Sequence, residues 1–501
     1  MFLFVFKCVF TLLIFAVTIV FLFFRHKYGY WRKRGVPYEA PNMIFGNLSF
    51  LMRSSIADAF HALSRKNKRD YLGIYLSWKP TLLIQSKEYA KQVLMTNYDC
   101  FQDRYSYGGL EDDPLGSLNL FSVKSPVWNK MRAGLVPMFT RLRMKGLTEL
   151  INMNSVELVN KIQRDYLHTN DPIHLKSLFA MYTSDNVAFT VFGIRVSALK
   201  ENTSPLWLIT GPMAKWTLWR GIEFSTILFL PSLAKLIKLK FFSQRATNYI
   251  RNLFWKVVDE RNTTGKSSDK DLVNHLLKLK DNLKLPAEAG SQIADDLMLA
   301  QAALFIFAAI GTSSTTICYC LHELAHHSEK QEKLFQEVDE ALKSSGKEIL
   351  EYEELSNLKY LTACIQETLR KYPPVPFLDR LCNKTHKLND EVTIEKGTPV
   401  FVNVIGIHHN EDYFPDPKKW LPERFVGTSD SDNLDFTFLP FGEGPRNCMG
   451  FRYGLMQVRS AIAHMVAKYR FESEDPYIIE SDPYSILLTP KTASRFKFVA
   501  R

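Results

Sequence analysis

The chain has 501 residues, 46% of them hydrophobic, which is enough for a large core in one big domain or in two or three smaller ones. Its formal net charge is +11, but the basic residues are spread along the chain without an aromatic-interleaved stripe, so a membrane surface and an acidic protein are better partners than nucleic acid. The seven cysteines form no CxxC pair, which argues against a disulfide framework and favours a reducing compartment.

The N-terminus predicts a membrane-spanning helix over residues 1–24. From residue 8 to residue 24 the only polar side chains are Thr11 and Thr18, and the residues before them add only Lys7. A helix of this length spans a bilayer core of about 30 Å. A secretory signal is the alternative, but it requires a small-residue cleavage site, which is missing after Phe24.

Residues 25–42 predict a basic, proline-containing linker with Pro37 and Pro41. The basic residues that follow the span are Arg25, Lys27, Arg32, Lys33 and Arg34. By the positive-inside rule, they place the rest of the chain on the cytosolic side, and the endoplasmic reticulum is the membrane that we expect.

The middle of the chain predicts a mainly α fold with minor β. Segments rich in Val, Ile and Thr near residues 71–84 and 391–404 predict strands. Apolar residues with a period of 3.6 predict helices from residue 271 past residue 342. The polar residues 262–270 predict a surface loop.

Residues 207–242 are unusually apolar for a surface connection. Aromatic side chains precede Pro231, and Lys235, Lys238 and Lys240 alternate with Leu and Ile after it. We interpret this segment as a surface that dips into the bilayer interface, where aromatic rings bordered by lysines are favoured. An ordinary buried helix pair is the alternative.

His322, Glu323 and His326 match the H-E-x-x-H pattern of zinc proteases. Two imidazoles one helical turn apart bind the metal in that pattern, and the glutamate acts as base. Glu337 or Glu340 would supply a third ligand. A zinc metalloprotease is therefore a remote alternative function, and its competitor is a pair of surface or interhelical histidines.

The most specific motif is the run Phe-Gly-Glu-Gly-Pro-Arg-Asn-Cys-Met-Gly at residues 441–450. Its glycines allow a tight turn beneath a flat ring system, main-chain N–H groups can point at the sulfur of Cys448, and Arg446 can pair with a haem propionate. A cysteine thiolate bound to haem iron suits these residues, and a buried structural cysteine is the alternative. The run resembles the cysteine-ligand loop of the cytochrome P450 family, Phe-x-x-Gly-x-Arg-x-Cys-x-Gly, at every fixed position.

This resemblance implies a cytochrome P450 fold, with a single large haem-thiolate catalytic domain over residues 43–501 behind the transmembrane helix. Finer details, such as Phe101-x-Asp103-Arg104, are most similar to insect microsomal members of the detoxification type. The implied cofactor is iron protoporphyrin IX, and the implied metal ligand is Cys448.

The resemblance also implies roles for basic and acidic residues along the chain. Trp128 and Arg132 resemble the family's Trp-x-x-x-Arg helix, whose side chains face the haem propionates. The set of cofactor-binding residues is completed by Arg446, Arg380 and, as a weaker candidate, Arg104. Structural support of the cysteine loop is implied for Glu367, Arg370 and Arg424, since Glu367 and Arg370 share one helix face and Arg424 lies in the family's meander.

Residues 308–312, Ala-Ala-Ile-Gly-Thr, are similar to the family's oxygen-activating segment Ala/Gly-Gly-x-Asp/Glu-Thr. Thr312 is the implied catalytic alcohol, and the family's acid is replaced by Gly311. A shifted register would make Ser313 stand in for the acid. Without a carboxylate, water or Ser313 must relay protons, which bears on coupling and not on haem binding.

Substrate-pocket residues are expected by position in the family's order. All of them are apolar, so the substrate should be lipophilic: Phe121, Phe305, Ala308, Ala309, Val375, Phe377, Ile486, Leu487 and Leu488.

The implied function is a monooxygenase that inserts one oxygen atom from O2 into a lipophilic small molecule, in xenobiotic or endogenous lipid or hormone metabolism. Its electrons would come from NADPH through cytochrome P450 reductase, with cytochrome b5 as a further candidate partner. Two alternatives remain: a haem-thiolate enzyme that rearranges or reduces its substrate, and a low-turnover haem-binding protein that acts by sequestration.

Overall fold

A computed structural model describes residues 2–48, 54–106, 109–110, 112–169, 171–213, 215–264, 271–282, 290–430, 432–491 and 495–501. Helices account for most of these residues. They are α1 (Phe2–Lys27), α2 (Tyr30–Lys33), α3 (Ile56–Lys66), α4 (Lys87–Lys91), α5 (Pro114–Leu118), α6 (Val127–Leu135), α7 (Arg141–Asp165), α8 (Leu175–Phe192), α9 (Ala198–Glu201), α10 (Trp207–Met213), α11 (Leu218–Phe229), α12 (Pro231–Leu236), α13 (Gln244–Thr264), α14 (Leu272–Asn282), α15 (Gly290–His326), α16 (Ser328–Ser345), α17 (Tyr352–Asn357), α18 (Lys359–Lys371), α19 (Val404–His408) and α20 (Phe451–Lys468).

The strands are short and form small sheets, so the predicted mainly α fold with minor β is confirmed. They are β1 (Tyr71–Leu76), β2 (Lys79–Ile84), β3 (Leu378–Leu381), β4 (His386–Lys387), β5 (Thr393–Ile394), β6 (Pro399–Val402), β7 (Tyr469–Ser473) and β8 (Phe496–Ala500). The largest sheet has the order β1-β2-β6-β3, in which only β2 and β6 run parallel, with Leu82 opposite Val400. The segments expected near residues 71–84 and 391–404 supply three of its strands.

Helix α15 is the central element of the fold. It is 37 residues long and packs against α5, α8, α18 and α20. Two apolar clusters flank it: one joins α7, α18 and α20, and the other joins α6, α8 and α11 to α14. Residues 292–326 are apolar enough to cross a membrane, but more than half of their most apolar window is buried, as expected for a core helix.

Helix α1 stands apart from this core. Residues 4–27 have a mean hydropathy of 2.6, and none of this window is buried, so α1 is a candidate membrane anchor. The residues after it pack on the large sheet: Trp31 is fully buried, and its Nε1 donates to the carbonyl of Ile74 at 3.1 Å. The segment predicted as a linker therefore packs on the large sheet through Trp31.

The described part of residues 207–242 contains α10, α11 and α12, and α11 has two faces. Phe224, Ile227 and Phe229 are buried against the core. On the other side, Leu218 and Trp219 are 58% and 67% exposed. The segment thus combines a buried helix face with an exposed apolar one. Of the loop expected at residues 262–270, residues 262–264 belong to α13, and the rest lies outside the described residues.

Candidate functional site

The loop that carries Cys448 is a compact turn between residue 439 and α20. The amide of Cys448 donates to the carbonyl of Phe441 at 2.8 Å, and the amide of Asn447 donates to the carbonyl of Gly444 at 3.0 Å. Gly444 has a φ of +75°, and a Cβ there would lie 2.0 Å from the carbonyl oxygen of Leu94. Only glycine fits this position, because both its backbone conformation and the close approach exclude a side chain.

The sulfur of Cys448 opens onto a cavity inside the protein. Burial raises the pKa of the thiol, while the main-chain N–H of Gly450 and the charges of Arg132 and Arg104 act in the opposite direction. Coordination of a metal ion removes the proton of a thiol outright. The surroundings of Cys448 therefore suit a metal-bound thiolate better than a free one.

This cavity has a volume of about 330 Å³ and is mainly apolar. One face of α15, with Ala308, Ala309, Thr312 and Ser313, also lines this cavity. These four positions share a face because residues three and four apart in a helix point the same way. The cavity thus lies between the cysteine loop and the middle of the longest core helix.

Basic side chains gather at one side of the cavity. Arg132 donates to both the carbonyl and the side-chain oxygen of Asn447, at 2.8 and 2.5 Å. The guanidinium of Arg446 lies 4.2 Å above the ring of Trp128. Arg104 lines the same cavity, donates to Asp379 at 2.7 Å and stacks on the ring of Phe121.

Arg380 completes this group from strand β3. It is buried, and its Nε has no hydrogen-bond partner among the described residues. Burial and the neighbouring Arg104 lower the pKa of Arg380 to about 9, and the same two causes lower the pKa of Arg446 to about 10. The lowered pKa values indicate that the acidic side chains in this cluster do not balance its basic ones.

The sequence predicted no role in the site for three further members of the cluster, although Asp103 lies in the run Phe101-x-Asp103-Arg104. Lys124 donates to the carbonyls of Arg104 and Ser106, and burial lowers its pKa. Asp103 and Asp379 provide the acidic groups. Asp103 accepts from Arg446 at 3.2 Å, and Asp379 accepts from Arg104.

These residues fit a haem group. Two carboxylates, Asp103 and Asp379, face a larger number of basic side chains, so the cluster can take up the two negative propionates. Arg380 is not among the residues that line the cavity, but its Nε has no partner among the described residues and would be available to donate to one of the propionates. The basic side chains are Arg104, Lys124, Arg132, Arg380 and Arg446.

Glu367, Arg370 and Arg424 meet behind the cysteine loop, outside the cavity. The guanidinium of Arg370 binds the Glu367 carboxylate in a bidentate pair, with distances of 2.7 and 2.8 Å, and both side chains are fully buried. Arg424 approaches the same carboxylate, with its Nε 3.5 Å from Oε1. The structure thus brings together the three residues that the sequence nominated as structural support.

His408 connects this network to the cysteine loop. Its Nδ1 faces the carbonyl of Arg370 at 3.1 Å, and its Nε2 accepts from the amide of Leu439 at 2.7 Å, two residues before Phe441. The ring is therefore neutral, with its proton on Nδ1. Burial and the charge of Arg370 lower the pKa of His408 to about 3.

The substrate-pocket predictions divide into two groups. Phe121, Phe305, Ala308, Ala309 and Val375 line the cavity. The other four candidates, Phe377, Ile486, Leu487 and Leu488, do not line this cavity and lie elsewhere in the described structure.

Phe377 stacks with Phe401 at a ring-centroid distance of 5.3 Å, in the apolar cluster of the large sheet. Leu488 is buried in that cluster, and Ile486 packs at its edge. Leu487 lines a second, smaller cavity. The reason is local: residues 375–377 and 486–488 are not regular strands, so alternate residues do not share a face.

Gly311 also faces this second cavity, on another side of α15. The second cavity is lined by Lys176, Thr210, Met213, Trp216, Ile306, Phe307, Ile310, Gly311, Leu487 and Thr489. Lys176 donates to Thr489 at 3.2 Å, and burial lowers its pKa. A side chain at position 311 would therefore enter the second cavity, with its Cβ 3.1 Å from Cδ1 of Leu487.

The zinc-protease alternative is contradicted by the surroundings of the H-E-x-x-H residues. The buried carboxylate of Glu323 accepts from Lys371, Tyr372 and Tyr477. The Nε2 atoms of His322 and His326 bond to the main-chain carbonyls of Tyr477 and Asp475, respectively. In the described part of the chain no cluster of three His, Cys, Asp or Glu side chains can hold a metal ion.

Comparison with known proteins agrees with this site. A family model described as cytochrome P450 matches residues 36–496. Cytochrome P450 6k1 of Blattella germanica is 31% identical, over 97% of this chain and 96% of its own. Cytochrome P450 6l1 of the same species is 32% identical over 93% and 91%, and the probable cytochrome P450 6d5 of Drosophila melanogaster is 32% identical over 96% and 97%.

Proposed function

Because the chain belongs to the cytochrome P450 family, we propose that it inserts one atom of O2 into a lipophilic small molecule with electrons from NADPH. The family consists of haem monooxygenases that hold haem through a cysteine thiolate, so the chain is an oxidoreductase and the predicted cofactor is confirmed. One observation supports the assignment to particular residues: the sulfur of Cys448 opens onto an apolar cavity that α15 also lines.

Different residues of the chain would bind the iron and the propionates of the cofactor. Haem, when bound, supplies oxygen activation at its iron, and a thiolate ligand favours cleavage of the O–O bond. Cys448 would be that ligand, with the N–H of Gly450 directed at its sulfur. Arg132, Arg380 and Arg446 would hold the propionates, and the ring of Trp128 would support Arg446.

Thr312 and the apolar cavity wall would act on the substrate side. The Thr312 hydroxyl donates to the carbonyl of Ala308 at 2.8 Å, so its oxygen is left to accept a hydrogen bond from the cavity. Phe121, Phe305 and Val375 exclude water and favour a lipophilic substrate by burial of apolar surface. This arrangement positions a C–H bond near the site of oxygen activation without binding it by charge.

The electron donor is proposed to be an acidic reductase that docks on the side of the cysteine loop. Lys130, next to the Trp128 turn of α6, and Arg452, at the start of α20, are both exposed. Both lie near Cys448 in the chain fold, because Arg132 contacts Asn447 and residue 452 follows the loop directly. Cytochrome b5, also acidic, is proposed to use the same surface.

A microsomal membrane fits the exposed apolar helix α1. We place the catalytic domain on the cytoplasmic side, since five basic residues follow the span within residues 25–34. The exposed face of α11, with Leu218, Trp219 and Ile222, is proposed to touch the lipid interface. Quenching of tryptophan fluorescence by brominated lipid, measured on the full-length protein with and without Trp219→Phe, tests that contact.

The decisive experiment is the absorption spectrum of the reduced, CO-bound protein. Wild type should give the thiolate-type spectrum, and Cys448→Ala and Cys448→His should abolish it. Cys100→Ala is the matched control, because Cys100 is also partly exposed but does not line the cavity. A thiolate-type spectrum retained by Cys448→Ala would refute the assignment of the loop.

Turnover then separates the proposed reaction from its alternatives. The protein, a reductase, NADPH and a panel of lipophilic compounds should give products that require O2 and contain one of its atoms. Products formed equally well without O2 would indicate rearrangement or reduction, and a full cofactor spectrum without any product would indicate sequestration.

A further inference from the structure

Hydroxyl side chains occupy residues 312–316 of α15, and three of the five use their hydrogen within the helix. Thr315 has no partner among the described residues, but it does not line the cavity of Cys448. Thr312 donates to the carbonyl of Ala308 at 2.8 Å. Ser314 and Thr316 likewise donate to the carbonyls four residues earlier, at 2.7 and 3.0 Å. A hydroxyl group has one hydrogen, so none of these three has a hydrogen left for the cavity.

Ser313 has a different partner. Its oxygen accepts from Nε2 of Gln457, on α20, at 2.6 Å. Gln457 is fully buried, Ser313 is nearly so, and both line the cavity of Cys448. Within the described ranges the Ser313 hydroxyl has no recorded acceptor, so its hydrogen can point into the cavity.

The surroundings of Gln457 fix which end of its amide faces Ser313. Nε2 also lies 3.5 Å from the carbonyl oxygen of Ala309, and Oε1 lies 3.4 Å from Nδ2 of Asn186. Asn186 is oriented in turn by Asn154, whose amide donates to it at 2.7 Å. A reversed Gln457 amide would set oxygen against the Ala309 oxygen and nitrogen against the Asn186 nitrogen.

We propose that Gln457 is a positioning residue that makes Ser313 the hydroxyl donor of the cavity. The amide N–H of Gln457 occupies the Ser313 oxygen, and the hydroxyl hydrogen is thereby directed to a polar atom in the cavity. No bond is broken in this role: it is a hydrogen bond held in place from α20. Gly311 cannot take the role, because it has no side chain and faces the second cavity.

The first test uses the C–O stretching frequency of the reduced, CO-bound protein, which requires no turnover. A hydrogen bond donated to the CO oxygen weakens the C–O bond, so loss of the donor should move the band to higher frequency. We expect this shift in Ser313→Ala. We expect the same shift in Gln457→Met, because a released Ser313 can donate to the carbonyl of Ala309 like its helical neighbours.

Two comparisons make this test specific. The double variant with Ser313→Ala and Gln457→Met should shift the band no further than either single change, since both remove one hydrogen bond. Ser314→Ala is the matched control and should leave the band in place, because Ser314 is bonded to Ile310 within the helix. An unshifted band in Ser313→Ala would overturn the donor role, and an unshifted band in Gln457→Met alone would overturn the positioning role.

A second test reverses the polarity of residue 457. In Gln457→Glu, a protonated carboxyl can still donate to Ser313, whereas an ionised one accepts its hydrogen and turns it away from the cavity. The band of this variant should therefore resemble wild type at low pH and Ser313→Ala at high pH. A band that does not move with pH in Gln457→Glu would contradict the mechanism.

The groups around residue 457 differ in whether they titrate in the range of this test. Tyr182 donates to the main-chain oxygen of Gln457, and Tyr453 lies one turn before it; burial raises the pKa of both phenols. Burial raises the pKa of Asp185, beside Asn186, to about 7, and its carboxylate accepts from the amides of Ala198 and Leu199. The pH effect is therefore measured as the difference between Gln457→Glu and wild type, since both carry Asp185.

The turnover consequence rests on the proposed function and is measured separately. If the protein is a monooxygenase, Ser313→Ala and Gln457→Met should both lower the ratio of product to hydrogen peroxide. Failure to form any CO complex would count against the proposed function, whereas an intact complex with an unshifted band in Ser313→Ala would refute this inference alone.

Discussion

Replacing Arg370 with methionine should cost more stability than almost any other single change in this protein. The guanidinium of Arg370 is fully buried and makes a bidentate pair with Glu367. It also donates to the carbonyls of His408 and Pro417, both at 2.9 Å, and to the carbonyl of Lys419 at 3.2 Å. Methionine has a similar length but offers none of these donors, so Arg370→Met removes a partner of the buried Glu367 carboxylate and of three carbonyls.

The expected loss follows from these contacts. Breaking a buried ion pair by removing one partner costs about 3–5 kcal/mol. Each buried carbonyl that loses its donor adds about 1–3 kcal/mol, although Arg424 and entering water compensate in part. We therefore expect a loss of roughly 5 kcal/mol, which is large beside the approximately 5–15 kcal/mol that stabilises a typical folded protein.

The assay is urea unfolding of the full-length protein in detergent, followed by tryptophan fluorescence. Trp420 is a convenient reporter, because it is fully buried and its Nε1 donates to Thr368 on the same helix as Arg370. The free energy of unfolding follows from the midpoint and the slope of the transition. A changed slope would mean that the variant also alters the compactness of one of the two states.

Arg141→Met is the matched control for this substitution. Arg141 also pairs with a glutamate, Glu353, but the two side chains are 71% and 42% exposed. Surface pairs contribute at most about 1 kcal/mol, so this variant should unfold almost like wild type. Equal losses in Arg141→Met and Arg370→Met would refute the argument that burial decides the cost.

A double variant distinguishes the lost pair from the orphaned charge. Changing Glu367 to methionine as well removes the buried carboxylate, so the double variant should be more stable than Arg370→Met alone. This comparison also covers the case in which Arg370→Met does not fold. If the double variant is no more stable, the carbonyls and not the carboxylate carry the cost.

Three other predictions concern pH, the oxygen-side helix and the electron donor. Because burial lowers the pKa of His408 from 6.5 to about 3, the unfolded chain binds more protons between these values, so wild-type stability should fall as the pH drops below 6.5. Burial also lowers the pKa of other histidines, such as His322 and His409, so His408→Gln should reduce this fall without abolishing it, as measured by urea unfolding at pH 7 and pH 5. Gly311→Glu should place a carboxylate against Lys176 and leave the ratio of product to peroxide unchanged, and a several-fold rise would show that the carboxylate reaches the main cavity. Lys130→Glu and Arg452→Glu should slow reduction of the protein by the reductase at low salt. The difference in rate from wild type should shrink as the Debye length falls from about 10 Å at 0.1 M to about 3 Å at 1 M. A difference in rate that does not depend on salt would argue against electrostatic docking.

Residues that belong to a short motif within one helix were predictable from the sequence. The resemblance to the family's oxygen-activating segment nominated Ala308, Ala309 and Thr312, which share one face of α15 because of their helical spacing. The three-residue spacing of Glu367 and Arg370 placed these two on one face of α18. In each case one helix sets the relative position of the side chains, so no knowledge of distant contacts is needed.

Residues whose role depends on contacts between distant segments were not predictable. Lys124, Asp103 and Asp379 join the basic cluster only because the segment around residue 103 pairs with strand β3, where Asp103 is opposite Leu381. Phe377 was expected in the substrate cavity, two residues after Val375, but regular alternation starts only when β3 begins at residue 378. No local pattern marks such a change of face.

Gly311 replaces the acid of the family's oxygen-activating segment, but it lines a different cavity from Thr312. The effect of this replacement therefore differs from the one that its position next to Thr312 suggests. Gly311 precedes Thr312 in the chain, but it lines the second cavity together with Lys176 and Leu487, whereas Thr312 and Ser313 line the cavity of Cys448. Successive helical residues point about 100° apart, so neighbours in the chain need not share a surface. A carboxylate at residue 311 would therefore lie in the second cavity with Lys176 and not in the cavity of Cys448. A hydrogen-bond donor for that cavity has to come from the face that lines it, and Ser313, held by Gln457, is the side chain on that face whose hydrogen is not already used within the helix.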